Sequence, residues 1–284
     1  MAGMMGEFVE IVEVGPRDGL QNEARAIPVA EKVALIDCLS RAGFRRIEAA
    51  SFVSPKWVPQ MAGSAEVMAG IARVLGVKYA ALTPNLRGLE DASAAGVDEV
   101  AVFASASEGF SKANINATIA ESIERFRPVI AASTLPVRGY VSCVVECPYD
   151  GPVAPNQVAD VTAELFEAGC FEVSLGDTIG RGTPEKVDAM LAAVLEVAEP
   201  EKLAGHFHDT GGQAIDNIVV SLERGLRVFD AAVGGLGGCP YAPGAAGNVA
   251  TELVAAALEA RGFEHGLDMG IVAEAAEMAR GMRG

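Results

Sequence analysis

The stretch Leu203-Ala204-Gly205-His206-Phe207-His208-Asp209 joins a short apolar run to a polar end, which is typical of a buried strand that opens into a loop. A segment with helical periodicity, Ala214–Arg224, follows this stretch, and Gly225 marks its end. The next strand-like run is Phe229–Val233. This part of the chain is therefore predicted to form one strand–loop–helix–strand unit.

The same unit recurs along the chain. The strand-like runs are Phe8–Glu13, Arg46–Ala50, Lys78–Leu82, Glu99–Ala104, Val137–Val145, Phe171–Leu175, Leu203–His208 and Phe229–Val233. The segments with helical periodicity are Val29–Arg41, Ser64–Leu75, Leu86–Ala94, Ile115–Ala132, Asn156–Glu167, Pro184–Val197, Ala214–Arg224 and Val249–Ala260. Eight alternating units predict an α/β fold with a parallel sheet, and eight is the number found in a (β/α)8 TIM barrel.

A doubly wound open sheet is the alternative arrangement of alternating strands and helices. Such a sheet more often carries a G-x-G-x-x-G phosphate-binding sequence after its first strand, and that sequence is absent there. No linker or low-complexity stretch divides the chain. We therefore predict a single catalytic barrel domain over residues 1–284, with an additional C-terminal helix, Ile271–Met282.

Composition excludes several classes of partner. The chain carries 22 Lys and Arg against 38 Asp and Glu, a net charge of −16, and it has no basic tract. We therefore expect neither a nucleic-acid partner nor an anionic membrane surface. Five cysteines are an odd number spread over a long chain, which indicates a reducing compartment. With no signal-peptide pattern and no apolar run of about 20 residues, we expect a cytoplasmic protein.

Two of the chain's three histidines, His206 and His208, lie two residues apart. On a strand such a pair points to one face, whereas on a helix it diverges. Two imidazoles on one face at the end of a strand can share a divalent metal ion. The alternative is that neighbouring backbone groups satisfy both rings. Because so few histidines are available to cluster by chance, we favour a metal site.

Other polar residues gather where the predicted strands end. The first strand runs into Glu13–Glu23, and Asn248 follows the loop after the last strand. In a barrel these ends converge on one rim, where barrel enzymes keep their active sites. Structural alternatives exist for single residues. Glu48 would pair with an arginine inside the barrel, and Asp177 would cap a turn.

Cys239 lies in the glycine-rich stretch Gly234–Gly247. A free cysteine is more often an inert packing residue. This stretch, however, is poor in packing side chains and rich in backbone freedom, so we expect a glycine-hinged loop that carries the thiol over a pocket.

With these residues in place, the sequence resembles the 3-hydroxy-3-methylglutaryl-CoA lyase family of metal-dependent barrel lyases over nearly its whole length. The motifs that carry the resemblance are EVGPRDGLQNE (Glu13–Glu23), EAASFVSPKWVPQM (Glu48–Met61), SLGDTIG (Ser174–Gly180), HFHDTGGQA (His206–Ala214) and GLGGCPYAPGAAGNVATE (Gly235–Glu252). Isopropylmalate and homocitrate synthases share the barrel and the H-x-H pair, but they lack the SFVSPKWVPQM and GGCPYAPGAAGN stretches.

The resemblance implies a metal site formed by Asp18, His206, His208 and Asn248 that holds Mg²⁺ or Mn²⁺. The chemistry agrees, since mixed oxygen and nitrogen ligands suit these ions, whereas thiolates would suit zinc. Glu252, one helical turn after Asn248, corresponds to an acid that supports the metal ligands.

The resemblance also implies the reaction, which is cleavage of 3-hydroxy-3-methylglutaryl-CoA to acetoacetate and acetyl-CoA in leucine degradation or ketone-body formation. Arg17 would stabilise the enolate and, with Gln21, bind the acyl-CoA substrate. The implied catalytic residues are Arg17, Asp18, Glu48, Asp177, His206 and Cys239. We further expect a homodimer. The rival functions are another lyase or aldolase of the superfamily, acting on a different 3-hydroxyacyl-CoA or 2-oxo acid, and a non-catalytic metal-binding barrel.

Overall fold

The computed structural model describes residues 6–239 and 242–283, and the side chains of residues 238–246 lie outside that description. Parallel strands form a closed barrel in the order β1-β8-β7-β6-β5-β4-β3-β2. These strands are β1 (Glu10–Glu13), β2 (Arg46–Ser51), β3 (Lys78–Leu82), β4 (Glu99–Ser105), β5 (Val137–Ser142), β6 (Glu172–Asp177), β7 (Leu203–Phe207) and β8 (Val228–Ala231). The predicted (β/α)8 barrel is confirmed.

Helices surround the sheet because each strand is followed by a segment with one apolar face. They are α1 (Val29–Ser40), α2 (Ser64–Gly70), α3 (Leu86–Ala94), α4 (Glu108–Ile115), α5 (Ile119–Ala132), α6 (Pro155–Ala168), α7 (Pro184–Val194), α8 (Ala214–Glu223), α9 (Thr251–Glu259) and α10 (Met269–Met282). The predicted C-terminal helix is α10, which packs against α1. Within the described residues, every helix is too short or too polar to cross a membrane.

Two predicted helices differ from the observed ones. The segment predicted as Ser64–Leu75 ends at Gly70, since glycine is a poor helix former and Leu75 is fully exposed. The segment predicted as Ile115–Ala132 is the single helix α5, which begins at Ile119, and an unpredicted helix, α4, precedes it. Ser107 caps α4 by accepting a hydrogen bond from the Phe110 amide. The weak apolar periodicity of α4 hid it from the sequence pattern.

The predicted glycine-hinged loop also differs, because it contains a two-stranded antiparallel hairpin, Gly238–Cys239 with Ala242–Ala246. A second small hairpin pairs Glu146–Cys147 with Gly151–Pro152. The glycine content of Gly234–Gly247 indicated a loop, and it concealed the short backbone pairing there.

The amino-terminal end of the barrel holds a buried ionic cluster. Arg46 Nε lies 2.8 Å from Glu10 Oε1, and Arg46 Nη1 lies 2.8 Å from Glu172 Oε1. Arg138 Nε donates to the same Glu172 oxygen at 2.6 Å. Since these residues open their strands, the cluster lies at the end opposite the rim, where it neutralises charge inside the barrel.

Candidate active site

The turn after β1 is a π-helical segment, Gly15–Gly19, which carries Arg17 and Asp18. Glu13 anchors it, because its Oε1 accepts hydrogen bonds from the amides of Gly15 at 2.8 Å and Val233 at 3.0 Å. A Cβ on Gly15 would lie only 2.5 Å from that oxygen, so the tight turn requires glycine.

Burial of Glu13 gives a testable dependence of stability on pH. Burial raises the pKa of Glu13 from 4.5 to about 7, against the opposing effect of its hydrogen bonds. Between these values the folded state holds a proton that the unfolded state releases. The free energy of unfolding should therefore fall as pH rises through this interval and level off above it, by on the order of 3 kcal/mol for this group.

Glu13→Gln should remove that component of the pH dependence. Urea unfolding of both proteins near pH 4.5 and above pH 7 measures it, and contributions from other groups cancel in the difference. Identical pH dependence in the two proteins would contradict a neutral buried Glu13.

Arg17 lies between two carboxylates. Its Nε donates to Glu48 Oε2 at 2.7 Å, and its Nη1 donates to Asp18 Oδ1 at 2.7 Å. The register of β2 against β3 shifts between Glu48 and Ala50, beside this contact. Burial would lower the pKa of Arg17, but the charges of Glu48 and Asp18 outweigh it and raise the pKa, so this guanidinium stays charged.

Asp18, His206 and His208 come together at the end of β7, and one ligand atom of each lies within 4.8 Å of the others. His208 Nδ1 is buried and has no hydrogen-bond partner among the described residues, as expected for an atom that would bind an ion. The oxygen and nitrogen donors fit a divalent cation.

The protonation states also favour metal binding. Although burial opposes it, the positive charge of Arg17 and the two histidines lowers the pKa of Asp18 to about 2. Burial, reinforced by the neighbouring His206, lowers the pKa of His208 to about 4. At neutral pH both side chains are therefore in the deprotonated form that a metal ion requires.

Asn248 joins this group through the backbone and through its side chain. It forms an isolated antiparallel bridge with His208, and its Nδ2 donates to Asp18 Oδ2 at 2.8 Å. The structure thus places all four predicted metal ligands at one point of the rim.

Other predicted site residues lie around this group in different ways. Gln21 lines an open cleft of about 510 Å³ next to the turn that carries Asp18. Glu252 Oε2 accepts a hydrogen bond from the Gly234 amide at 3.0 Å and so supports the loop after β8. The side chain of Cys239 lies outside the described residues.

Asp177 is fully buried, and its carboxylate accepts hydrogen bonds from the amides of Arg181 at 3.1 Å and Gly182 at 2.7 Å. These hydrogen bonds shape the loop after β6 and do not join Asp177 to the Arg17–Asp18 pair. The turn-capping alternative is thus realised, and a catalytic role for Asp177 stays a prediction.

Sequence reasoning missed two polar residues next to the histidines, the half-buried Tyr140 and the buried Asp230. The Tyr140 ring lies edge-on to His206, with centroids 6.3 Å apart, and Arg17 lies 5.7 Å from its centroid. Asp230 contacts the other side of His206. A charged residue inside the apolar run Phe229–Val233 was the available signal for Asp230.

Comparison with known proteins gives consistent matches. A family model described as HMGL-like matches residues 8–279. A Pseudomonas aeruginosa protein named 3-hydroxy-3-isohexenylglutaryl-CoA/hydroxy-methylglutaryl-CoA lyase is 58% identical over 272 residues, 95% of this chain and 91% of that protein. The crystal structure of the HMG-CoA lyase from Brucella melitensis is 65% identical with a TM-score of 0.97, covering 98% of this chain and 99% of that one.

An HMG-CoA lyase from Acinetobacter baumannii, solved in complex with coenzyme A and 3-methylmalate, is 36% identical with a TM-score of 0.92. The match covers 99% of this chain and 93% of that one. The similarity therefore extends over nearly the whole chain.

Proposed function

The chain belongs to the HMGL-like family, and on this premise we propose that it is a lyase that cleaves 3-hydroxy-3-methylglutaryl-CoA to acetoacetate and acetyl-CoA. The observation that carries the proposal is the convergence of Arg17 with Asp18, His206 and His208 at one rim of a barrel. High identity to named lyases over nearly the full length favours this reaction over other reactions of the superfamily. A non-catalytic barrel would leave the buried Arg17–Glu48 pair beside the metal cluster without a role.

Asp18, His206 and His208, with Asn248 beside them, would hold Mg²⁺ or Mn²⁺. When bound, such an ion acts as a Lewis acid that acidifies the substrate's tertiary hydroxyl and fixes its orientation. The side chains of the site supply the rest of the chemistry.

Arg17 stabilises the charge that develops when the C2–C3 bond breaks and its electron pair moves into the thioester as an enolate. Glu48 and Asp18 hold the guanidinium in place before the reaction, so little reorganisation is needed as charge develops. The hydroxyl proton leaves as C3 becomes the ketone of acetoacetate, and a proton added at C2 completes acetyl-CoA.

Asp18, Glu48 and Cys239 are the proton carriers that we consider for these two transfers. Burial raises the pKa of Glu48 despite the nearby Arg17, whereas the pKa of Asp18 is about 2. Glu48 is therefore the better carrier near neutral pH among the two carboxyls. Its Oε1 is buried and has no hydrogen-bond partner among the described residues.

Gln21 is proposed to contact the acyl-CoA substrate, because it lines the cleft beside the Arg17 turn. The Pseudomonas aeruginosa relative is also named for 3-hydroxy-3-isohexenylglutaryl-CoA, so the second candidate substrate carries a longer, unsaturated chain at C3. The expected cytoplasmic location and homodimer remain predictions.

One assay tests the function and separates these substrates. Purified protein with Mg²⁺ is incubated with either acyl-CoA, and acetyl-CoA release is measured together with the matching 3-oxo acid. We expect acetoacetate from the methyl substrate at the higher kcat/KM. Preference for the isohexenyl substrate would reassign the substrate, and absence of both products would contradict the lyase.

The thiol of Cys239 is expected to react selectively. Cys38, Cys143, Cys147 and Cys170 are all buried, so iodoacetamide should inactivate the enzyme by modifying Cys239 first. Cys239→Ser should bind metal and substrate yet lose most turnover, because a hydroxyl has the wrong pKa for proton exchange near neutral pH.

Mass spectrometry of the modified peptide and the rate of inactivation measure this selectivity, and a substrate analogue should slow it. Cys170→Ala is the matched control, since Cys170 precedes β6 at the end of the barrel opposite the rim. Its inactivation rate should equal that of the wild type. A wild-type kcat in Cys239→Ser would show that the thiol has no catalytic role.

A further inference from the structure

The side of His206 that faces away from the proposed metal cluster contacts a buried carboxylate. His206 Nδ1 lies 3.1 Å from Asp230 Oδ2, while His206 Nε2 lies 3.9 Å from Asp18 Oδ2. The two ring nitrogens therefore have different surroundings. One faces a carboxylate on β8, and the other faces the metal cluster.

Asp230 is itself held in place by one hydrogen bond and one ion pair. Ser174 Oγ donates to Asp230 Oδ2 at 2.8 Å. Arg138 Nη2 lies 2.8 Å from Asp230 Oδ1, as an ion pair without the alignment of a hydrogen bond. The Asp230 side chain is fully buried, and Arg138 balances its negative charge. The orientation of the Asp230 carboxylate is therefore fixed before any ion binds.

The second histidine has no such support. Its Nδ1 is the nitrogen left free for an ion, and among the described residues no carboxylate forms a hydrogen bond or ion pair with either ring nitrogen of His208. The pair is therefore asymmetric, with a carboxylate behind one imidazole only. If both histidines bound the ion in the same way, this difference between them would not be needed. If Asp230 only balanced the charge of Arg138, it would not need to contact His206.

We propose that Asp230 is a positioning residue for His206, holding the proton on Nδ1 and leaving the lone pair of Nε2 directed at the metal cluster. A carboxylate only accepts hydrogen bonds, so the ring nitrogen beside it must carry the proton. Such carboxylate–histidine contacts orient metal ligands and typically change metal affinity 10- to 100-fold when lost. The inference rests on the metal set proposed above.

The tautomer of His206 is measurable directly in the wild-type protein. With only three histidines, ¹⁵N-histidine labelling gives three sets of long-range ¹H–¹⁵N signals. His208→Gln and His265→Gln assign them. In the metal-free protein, at a pH where the imidazoles are neutral, His206 should carry its proton on Nδ1. A proton on Nε2 would overturn the proposal, and this arm needs no variant of Asp230.

Asp230→Asn tests the consequence for metal binding. Arg138 only donates, so the new amide oxygen should face Arg138 and the amide NH₂ should face His206. That arrangement moves the imidazole proton to Nε2, and Mn²⁺ affinity measured by electron paramagnetic resonance should fall 10- to 100-fold.

Glu172→Gln is the matched control, because Glu172 also pairs with Arg138 but belongs to the cluster at the opposite end of the barrel. If Asp230 only balances Arg138, both variants should lose similar thermal stability and bind Mn²⁺ like the wild type, which overturns the proposal. Weakened Mn²⁺ binding in Asp230→Asn alone supports it. Failure of the wild type to bind Mn²⁺ would instead contradict the proposed metal set, and with it this inference.

Discussion

Replacing Arg17 with glutamine should lower kcat by roughly two to three orders of magnitude, with a much smaller change in KM. A positive charge aimed at a developing enolate stabilises the transition state more than the bound substrate. The guanidinium is already fixed by Glu48 and Asp18, each within 2.7 Å, so its contribution is fully preorganised. Steady-state kinetics under saturating Mg²⁺ measure the effect.

The same substitution should also destabilise the fold, and the two effects must be separated. Glu48 is buried, so loss of Arg17 leaves its charge without a partner, which typically costs about 3–5 kcal/mol. Arg46→Gln is the matched control, because Arg46 is also a buried arginine between two carboxylates, at the opposite end of the barrel.

Arg46→Gln should lower Tm comparably while the folded fraction keeps wild-type kcat. Arg17→Lys keeps the positive charge but loses the planar guanidinium that bridges two carboxylates. Its kcat should therefore lie between that of Arg17→Gln and that of the wild type. An Arg17→Gln enzyme that raised KM alone would make Arg17 a substrate-binding residue without a role in the transition state.

The barrel and its rim could be predicted because their signals are local. Apolar runs of strand length alternate with segments of helical period, and eight such units have few ways to close. The spacing of His206 and His208 also follows from strand geometry alone. The structure bears out this part of the reasoning, and most element boundaries shift by only a few residues.

The supporting contacts could not be predicted, because they arise only when the barrel closes. Glu13 meets Val233 and Thr251 from the other end of the chain. Asp230 meets His206 because β8 and β7 pair in register, with these two residues opposite each other. Sequence patterns identify the polar residue, but its partner depends on strand order and register.

The short hairpins and α4 were missed for a different reason. Gly238–Cys239 and Ala242–Ala246 have the composition of a loop, and what the structure describes of their pairing is the backbone register. A capping serine, Ser107, sets where α4 begins, and its signal is weaker than that of an apolar period. Composition and periodicity therefore fail where single hydrogen bonds decide the local structure.

Removal of the metal ion should abolish activity completely, and Mg²⁺ or Mn²⁺ should restore it. Arg17 is assigned to the enolate, whereas acidifying the substrate's tertiary hydroxyl is assigned to the ion alone. Dialysis against EDTA followed by titration with either ion, with acetoacetate formation as the readout, measures this dependence. Full activity in a thoroughly metal-stripped sample would contradict the proposed mechanism.

His208→Ala should weaken Mn²⁺ binding without unfolding the barrel, because this residue lies at the rim and its Nδ1 forms no hydrogen bond that folding depends on among the described residues. His265→Ala is the matched control. His265 hydrogen-bonds Glu259 at 3.1 Å and the Leu267 amide at 3.1 Å, apart from the metal cluster, so its loss should leave metal dependence unchanged.

Thermal unfolding supplies a readout that does not depend on turnover. An ion that binds only the folded state stabilises it by RT ln(1 + [L]/Kd), which is about 2.7 kcal/mol at 100 times Kd. Mn²⁺ should therefore raise the Tm of the wild type and of His265→Ala, but not that of His208→Ala at the same concentration. An equal rise in all three proteins would place the ion at some other site, and would leave the convergence of Asp18, His206 and His208 without the function assigned to it.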